Sequence, residues 1–187
     1  MNNLLYSRPF LSIITICIKS KRKDYTIIIM IRKANKQDIP RIAEIIVFGK
    51  RTAYRTIFQN DIESFNHLQV VDLANHYMRN PKRLETMFVY DDGIIKGVIN
   101  GLLFENRMEL YDFYVEPFFK GQGIGRQLIQ YLIQQAKRQN MNFIFLWVIA
   151  ENTTARKFYE KNGFCETGET AMIEGTNKLD VCYKLMI

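Results

Sequence analysis

The sequence predicts a mixed α/β (α+β) domain, with about seven strands in one mostly antiparallel sheet and helices flanking it. Three features point there. Apolar residues recur at helical spacing through roughly residues 38–79, then change period over ETMFVYDDGIIKGVINGLLFENRMELYDFYV. The run FIFLWVIA is apolar on both faces, as a central strand must be. Between these two regions KGQGIGR, residues 120–126, joins a strand to a long periodic run.

Each element follows from local chemistry. MIRKA reads as a short strand and NKQDIP as a turn, with Asp38 near a helix start and Pro40 at an early helical position. Ile42, Ile45, Ile46 and Ala53 extend that helix over about 38–53. A second helix follows at about 61–79, stopped by Asn80-Pro81. Three consecutive strands come next, joined by the turn residues Asp92-Gly93 and Glu105-Asn106-Arg107. After the glycines, Ile124, Leu128, Leu132 and Ala136 fall on one helical face, with glutamines opposite. ENTTARKFYEKNGF is a short helix closed by Gly163. Strands at roughly 164–172 and 179–186 complete the order β-α-α-β-β-β-α-β-α-β-β.

Composition narrows the class. With 187 residues, 48% hydrophobic and 24% charged, the chain has the make-up of a single globular domain with one sizeable core. The formal charge is +7, but five basic side chains (Arg8, Lys19, Lys21, Arg22, Lys23) and a single acid, Asp24, precede residue 30. The excess beyond them is too mild for a nucleic-acid partner and suits a local positive field around one anionic ligand. Cys17, Cys165 and Cys182 are odd in number and lack metal-type spacing, so they read as reduced thiols in a cytoplasmic protein. His67 and His76 are badly spaced for a shared ion, and no metal site is expected. PFLSIITICI is far short of the roughly twenty residues of a membrane span, and its KSKRK follows rather than precedes the apolar run, unlike a signal peptide. Residues 1–29 therefore read as a dispensable extension or a mis-assigned start, with a membrane-surface anchor as the rival. The domain is expected over 30–187.

The glycine loop carries the functional signal. It lacks the GxxxxGK[ST] of a Walker A loop, and a dinucleotide fingerprint fails where Arg126 replaces the third glycine. What remains is a strand, a basic residue, then Gly123-x-Gly125 opening a helix. Free backbone N–H groups and the helix dipole at such a turn suit a pyrophosphate. Side chains would block the approach, and Lys120 and Arg126 add whole charges. The alternative is a tight strand-to-helix turn without a ligand.

YVEPFFKGQGIGRQLI resembles the coenzyme-A signature of the GNAT (GCN5-related N-acetyltransferase) superfamily, with Lys120, Gly123 and Gly125 in its defined places. Lys120 replaces the usual Gln or Arg. LWVIAENTTARKFYEKNGF matches a second block of that superfamily, and IRKANKQDIPRIAEI its first strand and helix. The resemblance spans about 31–187. It implies a sheet splayed between the fourth and fifth strands, with acetyl-CoA as co-substrate in the gap. The backbone of Phe113, Tyr114 and Val115 would bind the pantetheine arm. Lys120, Gly121, Gln122, Gly123, Ile124, Gly125 and Arg126 would hold the pyrophosphate. Asn152 would contact the coenzyme while also serving as a helix N-cap.

Tyr159 matches the acid that protonates the leaving thiolate, and Glu109 a position used as general base, with Asp112 its rival. Alternation places Glu109, Tyr111, Phe113 and Val115 on one face of the strand and Asp112 on the other, unless a bulge intervenes. A fifth-strand glutamate found in some relatives is Trp147 here. The implied reaction is direct acetyl transfer in a ternary complex to a primary amine of a small molecule. Rivals are a protein N-terminus or lysine as acceptor, and a non-catalytic acetyl-CoA-binding module. Tyr54 and Phe58 could line an acceptor pocket or pack in the core. A homodimer is compatible with all of this.

Overall fold

A computed structural model describes residues 30–187, plus the backbone of Ile16–Cys17 and Thr26–Ile27, which pair antiparallel. The expectations for residues 1–29 otherwise lie outside the described residues. The sheet domain spans Ile31–Ile187. Its strands are β1 (Ile31–Lys33), β2 (Met87–Asp91), β3 (Ile95–Phe104), β4 (Arg107–Val115), β5 (Phe143–Ile149), β6 (Cys165–Met172) and β7 (Leu179–Met186). They lie in the order β1-β2-β3-β4-β5-β7-β6. All neighbours are antiparallel except β4 and β5. Helices α1 (Ile39–Phe58) and α2 (Val70–Arg79) cover one face; α3 (Ile124–Arg138) and α4 (Thr153–Lys161) belong to the other.

The entry to α1 is fixed by a reciprocal cap. The Asn35 side chain accepts from Gln37 N–H at 2.9 Å, and Asp38 accepts from Asn35 N–H at 2.8 Å. Arg32 donates to both Asp38 oxygens, at 2.7 and 2.8 Å, and reaches Asp91 at 2.9 Å. One guanidinium thus ties β1 to the start of α1 and to the end of β2. Asp38 is buried, so its charge depends on this partner.

α1 runs five residues beyond its expected end, because Tyr54, Ile57 and Phe58 find partly buried places along the sheet. The second helix is shorter than expected. A π-helical turn over Glu63–His67 and a break at Leu68 precede α2. Arg51 explains the break: it donates to the carbonyls of Ser64, at 2.8 Å, and Leu68, at 2.7 Å, turning both away from a helical ladder. The two helices bury Ile39, Ile42, Ile45, Ile46 and Tyr77 against Met87, Val89 and Val98 of the sheet. On the opposite face α3 buries Ile124, Leu128, Leu132 and Ala136, the residues its periodicity selects, together with Ile129.

Gly49 sits inside α1, where glycine costs about 1 kcal/mol relative to alanine. A Cβ there would lie 2.6 Å from the Tyr114 ring, so its absence lets α1 approach β4 closely. Among the described residues no helix is long and apolar enough to cross a membrane.

Two stability predictions follow from these contacts. Arg32→Ala should cost about 2 kcal/mol in urea unfolding, below the ~3–5 kcal/mol for a wholly buried pair because Arg32 is partly solvated. Gly49→Ala should destabilise by about 1–3 kcal/mol through overpacking against Tyr114, reversing the sign that helix propensity alone would give.

Candidate active site

β4 and β5 stay together only through the pairs Arg107–Phe143, Met108–Ile144 and Glu109–Phe145. Beyond them β4 runs on to Val115 and β5 to Ile149 without pairing each other. On its other edge β4 remains bonded to β3 through Val115–Gly97. Glu116 N–H donates to the Lys96 carbonyl at 2.9 Å, so alternation turns the backbone groups of Tyr114 toward β3 as well. The Tyr114 carbonyl does lie on that side, beside Gly97. Phe113 and Val115 therefore present their backbone groups to the gap.

A cavity of about 940 Å³ fills this gap and is lined by residues from both faces of the sheet. At one end are Lys120, Gly121, Gly123, Ile124, Gly125 and Arg126. Gly121 and Gly123 have φ of 80° and 79°, values that strain other residues, and a Cβ at either would meet nothing within 4 Å. The turn is thus open where a ligand would approach. The N–H groups of the first turn of α3 have no intrahelical acceptors, since the ladder starts with Gln127 donating to Gly123. Neither Lys120 nor Arg126 forms an ion pair with a described residue. Gln122 is exposed on the same turn but outside the cavity wall.

α4 supplies the next part of the wall. Asn152 caps it, accepting from Ala155 N–H at 3.2 Å, and also lines the cavity. Both of the roles expected for Asn152 are thus geometrically compatible. The helix is held on β7 by Arg156, which donates to Tyr183 Oη at 3.0 Å and to the Ala150 carbonyl at 3.0 Å. Tyr183 in turn donates to Glu160 at 2.8 Å. The Tyr159 ring sits among Phe113, Phe158, Phe164 and Tyr183, with centroids 5.7–6.4 Å away. Its hydroxyl makes no hydrogen bond with a described residue, and burial pushes the phenol well above its ordinary value.

The α1–α2 side of the cavity carries Tyr54, Phe58, Tyr111, Tyr114, Trp147 and Asp180. Tyr54 and Tyr114 hydroxyls lie 3.2 Å apart, and burial raises both phenols. Tyr54 and Phe58 meet edge to face at 6.0 Å and form wall rather than core.

The expected alternation along β4 fails at one point. Asn100 pairs with Asp112 and Gly101 with Leu110, so Tyr111 is an extra residue. The bulge reverses parity. Glu109 shares the face of Asp112 and Tyr114, while Phe113 and Val115 face α3 and α4. Glu109 lies where β4 is still paired with β5, outside the cavity wall, and burial raises its carboxyl. Asp112 is buried beneath α2, accepts from Tyr77 Oη at 3.4 Å, and is likewise outside the wall. Asp180 on β7 drew no attention in the sequence, because nothing in LDVCYKLM tells which face of that strand meets a cavity.

Known proteins bear directly on this arrangement. The family model described as Acetyltransferase (GNAT) family matches residues 51–164. A spermidine N(1)-acetyltransferase of Thermoplasma acidophilum is 26% identical over 141 residues, covering 73% of this chain and 88% of that one. An uncharacterized N-acetyltransferase of Methanocaldococcus jannaschii is 41% identical over 58 residues, but these span only 26% of its length and 31% of this chain. A [ribosomal protein bS18]-alanine N-acetyltransferase of Haemophilus ducreyi is 29% identical over 119 residues, 58% of this chain and 79% of that one. The fold matches the crystal structure of the PaiA N-acetyltransferase of Thermoplasma acidophilum in complex with coenzyme A. The TM-score is 0.66 at 21% identity, covering 84% of this chain and 98% of that one. With the family model matched over more than half of its length and the split sheet in place, the chain belongs to the GNAT family of acetyltransferases.

Proposed function

We propose that this protein transfers the acetyl group of acetyl-CoA to the primary amine of a small molecule, directly and within a ternary complex. One observation carries the reading. One cavity at the β4–β5 split is lined by Lys120, Arg126 and an open glycine turn at one end and by Tyr159, and none of these three side chains has a polar partner among the described residues. The residues fit the coenzyme: a diphosphate needs the bare backbone and positive charge that residues 120–126 offer.

Acetyl-CoA supplies the activated thioester. Lys120, Arg126 and the N–H groups of the α3 first turn bind the diphosphate, and Gly121 and Gly123 keep its approach clear. Gln122 borders the same turn. The edge of β4 at Phe113 and Val115 orients the pantetheine arm as a missing strand would, with Tyr114 anchoring β4 to β3. An N–H of that edge polarises the thioester carbonyl. Asn152 holds the start of α4 and offers its amide to the coenzyme. Tyr159 donates its proton to the departing sulfur; its raised pKa keeps that proton in place at neutral pH.

The Thermoplasma relative, named for spermidine, supports a small amine as acceptor. A second reading, transfer to a protein N-terminus, draws on the Haemophilus relative named for ribosomal protein alanine. It draws also on a groove lined by Asn60, Glu63 and Ile173 to Lys178, which shares Phe58 and Ile173 with the cavity and could seat a peptide.

Acetyl-CoA and coenzyme A should each raise the unfolding temperature, and NAD should not, since a ligand binding only the folded state must stabilise it. No shift with either coenzyme would overturn the transferase reading. Tyr159→Phe should lower kcat about 10²-fold while the acetyl-CoA dissociation constant stays within about twofold. Because Tyr159 is raised, the wild-type rate should show no loss of the acid until the pH passes about 10, the ordinary tyrosine value.

A further inference from the structure

We infer that Asp180 receives the acceptor amine: its carboxylate pairs with the incoming ammonium and takes the proton that must leave before attack. This rests on the acetyl-transfer reading and assigns the half of the site that faces the acceptor.

Elimination and position carry it together. Among the described residues two carboxylates line the cavity, Glu151 and Asp180. Glu151 is neutralised by Lys178 at 2.8 Å. The Asp180 carboxylate makes no hydrogen bond or ion pair with a described residue; only its backbone is engaged, in the sheet beside Ile149 and Ala171. The other nearby acids are committed or turned away. Glu116 is bound to Arg41 at 2.9 Å, Asp112 is buried under Tyr77, and Glu109 is outside the wall.

Asp180 pairs with Ile149, at the end of β5 beyond the last β4–β5 pair, Glu109–Phe145. Alternation from Tyr183, which faces α4, turns Asp180 to the opposite side, toward α1. There its charge acts on the Tyr54 phenol. The cation-rich turn and Tyr159 meet the coenzyme from the other face. An anion without a partner in a partly buried wall is costly unless a cation joins it. An ammonium entering from the α1 side would satisfy Asp180 and leave its nitrogen directed at the split.

The chemistry balances. Asp180 takes one proton from the ammonium, and the freed nitrogen lone pair forms the N–C bond to the acetyl carbon. The C–S bond breaks with its electron pair on sulfur, and Tyr159 protonates that sulfur. The second proton on nitrogen returns to the Tyr159 oxygen, and Asp180 sheds its proton to solvent. The preferred acceptor is an aliphatic amine, cationic at neutral pH, with no carboxylate beside the nitrogen to repel Asp180.

The titratable groups around Asp180 are Tyr54 of α1, Tyr111 and Tyr114 of β4, Glu151 after β5 and Tyr159 of α4, with Lys120 and Arg126 across the cavity. The tyrosines with raised values stay neutral, and Glu151 stays paired with its lysine.

The test compares wild type with Asp180→Asn, a near-isosteric change at a side chain with no hydrogen bond to lose. Thermal unfolding is followed with butylammonium chloride against sodium chloride at equal ionic strength, with and without coenzyme A. Butylammonium should raise the unfolding temperature of wild type, and D180N should abolish that rise while keeping the one produced by acetyl-CoA. With butylamine or spermidine as acceptor, whichever wild type acetylates, D180N should lower kcat about 10²-fold. That deficit should shrink as the pH approaches the amine's own pKa.

Equal butylammonium shifts in both proteins, no shift in either, or unimpaired turnover by D180N would overturn the assignment. So would loss of the butylammonium shift in Glu109→Gln but not in D180N. A missing acetyl-CoA shift would instead strike the transferase reading, and the butylammonium comparison without coenzyme would still decide the role of Asp180.

Discussion

The separation of β4 from β5 is the constraint on which the remaining geometry depends. Parallel neighbours in a sheet normally satisfy each other's backbone groups along their whole length. Here pairing stops at Glu109–Phe145, and both strands continue apart. Two edges of polar backbone are left facing a gap in the middle of the sheet rather than at its margin. Such edges are stable only when water or a ligand takes the missing bonds. The helices that follow these strands both begin at the mouth of the gap: α3 brings its N-terminal N–H groups, and α4 brings Asn152 and Tyr159. The fold thus converts one interrupted ladder into a passage with different chemistry on either side.

That asymmetry is electrostatic as well as spatial. On the α3–α4 side lie Lys120, Arg126 and a helix N-terminus, all favouring an anion. On the α1–α2 side lie buried tyrosines and the carboxylate of Asp180, which has no partner among the described residues, favouring a cation. Tyr159 stands between, neutral and with its proton available. A reaction joining an anionic coenzyme to a cationic amine needs this polarity. Close approach of α1 to β4 at Gly49, and the anchoring of the π-helical turn by Arg51, set the position of the cavity wall on the α1 side.

Much of this was legible in the chain. The change of period, the Asn80-Pro81 stop and the four inward residues of α3 each fix an element through local chemistry, and the glycines mark the turn that opens α3. Tyr159 and Asn152, read from one contiguous motif, both line the cavity at the β4–β5 split. The features that escaped are those set by distant contacts. The break before α2 depends on Arg51 reaching the carbonyls of Ser64 and Leu68, which no local propensity encodes. The bulge at Tyr111 shifts Glu109 to the other face of β4, and alternation alone cannot reveal it. Asp180 gains its place only once β7 is laid beside the splayed end of β5.

The most direct measurement of the central claim is amide hydrogen exchange with and without acetyl-CoA, resolved at single residues. If the coenzyme completes the interrupted ladder, protection should rise at Phe113 or Val115 and across Gly123 to Arg126, while Tyr114, already bonded to β3, changes little. Protection that appears elsewhere, leaving both the β4 edge and the glycine turn unchanged, would contradict the account.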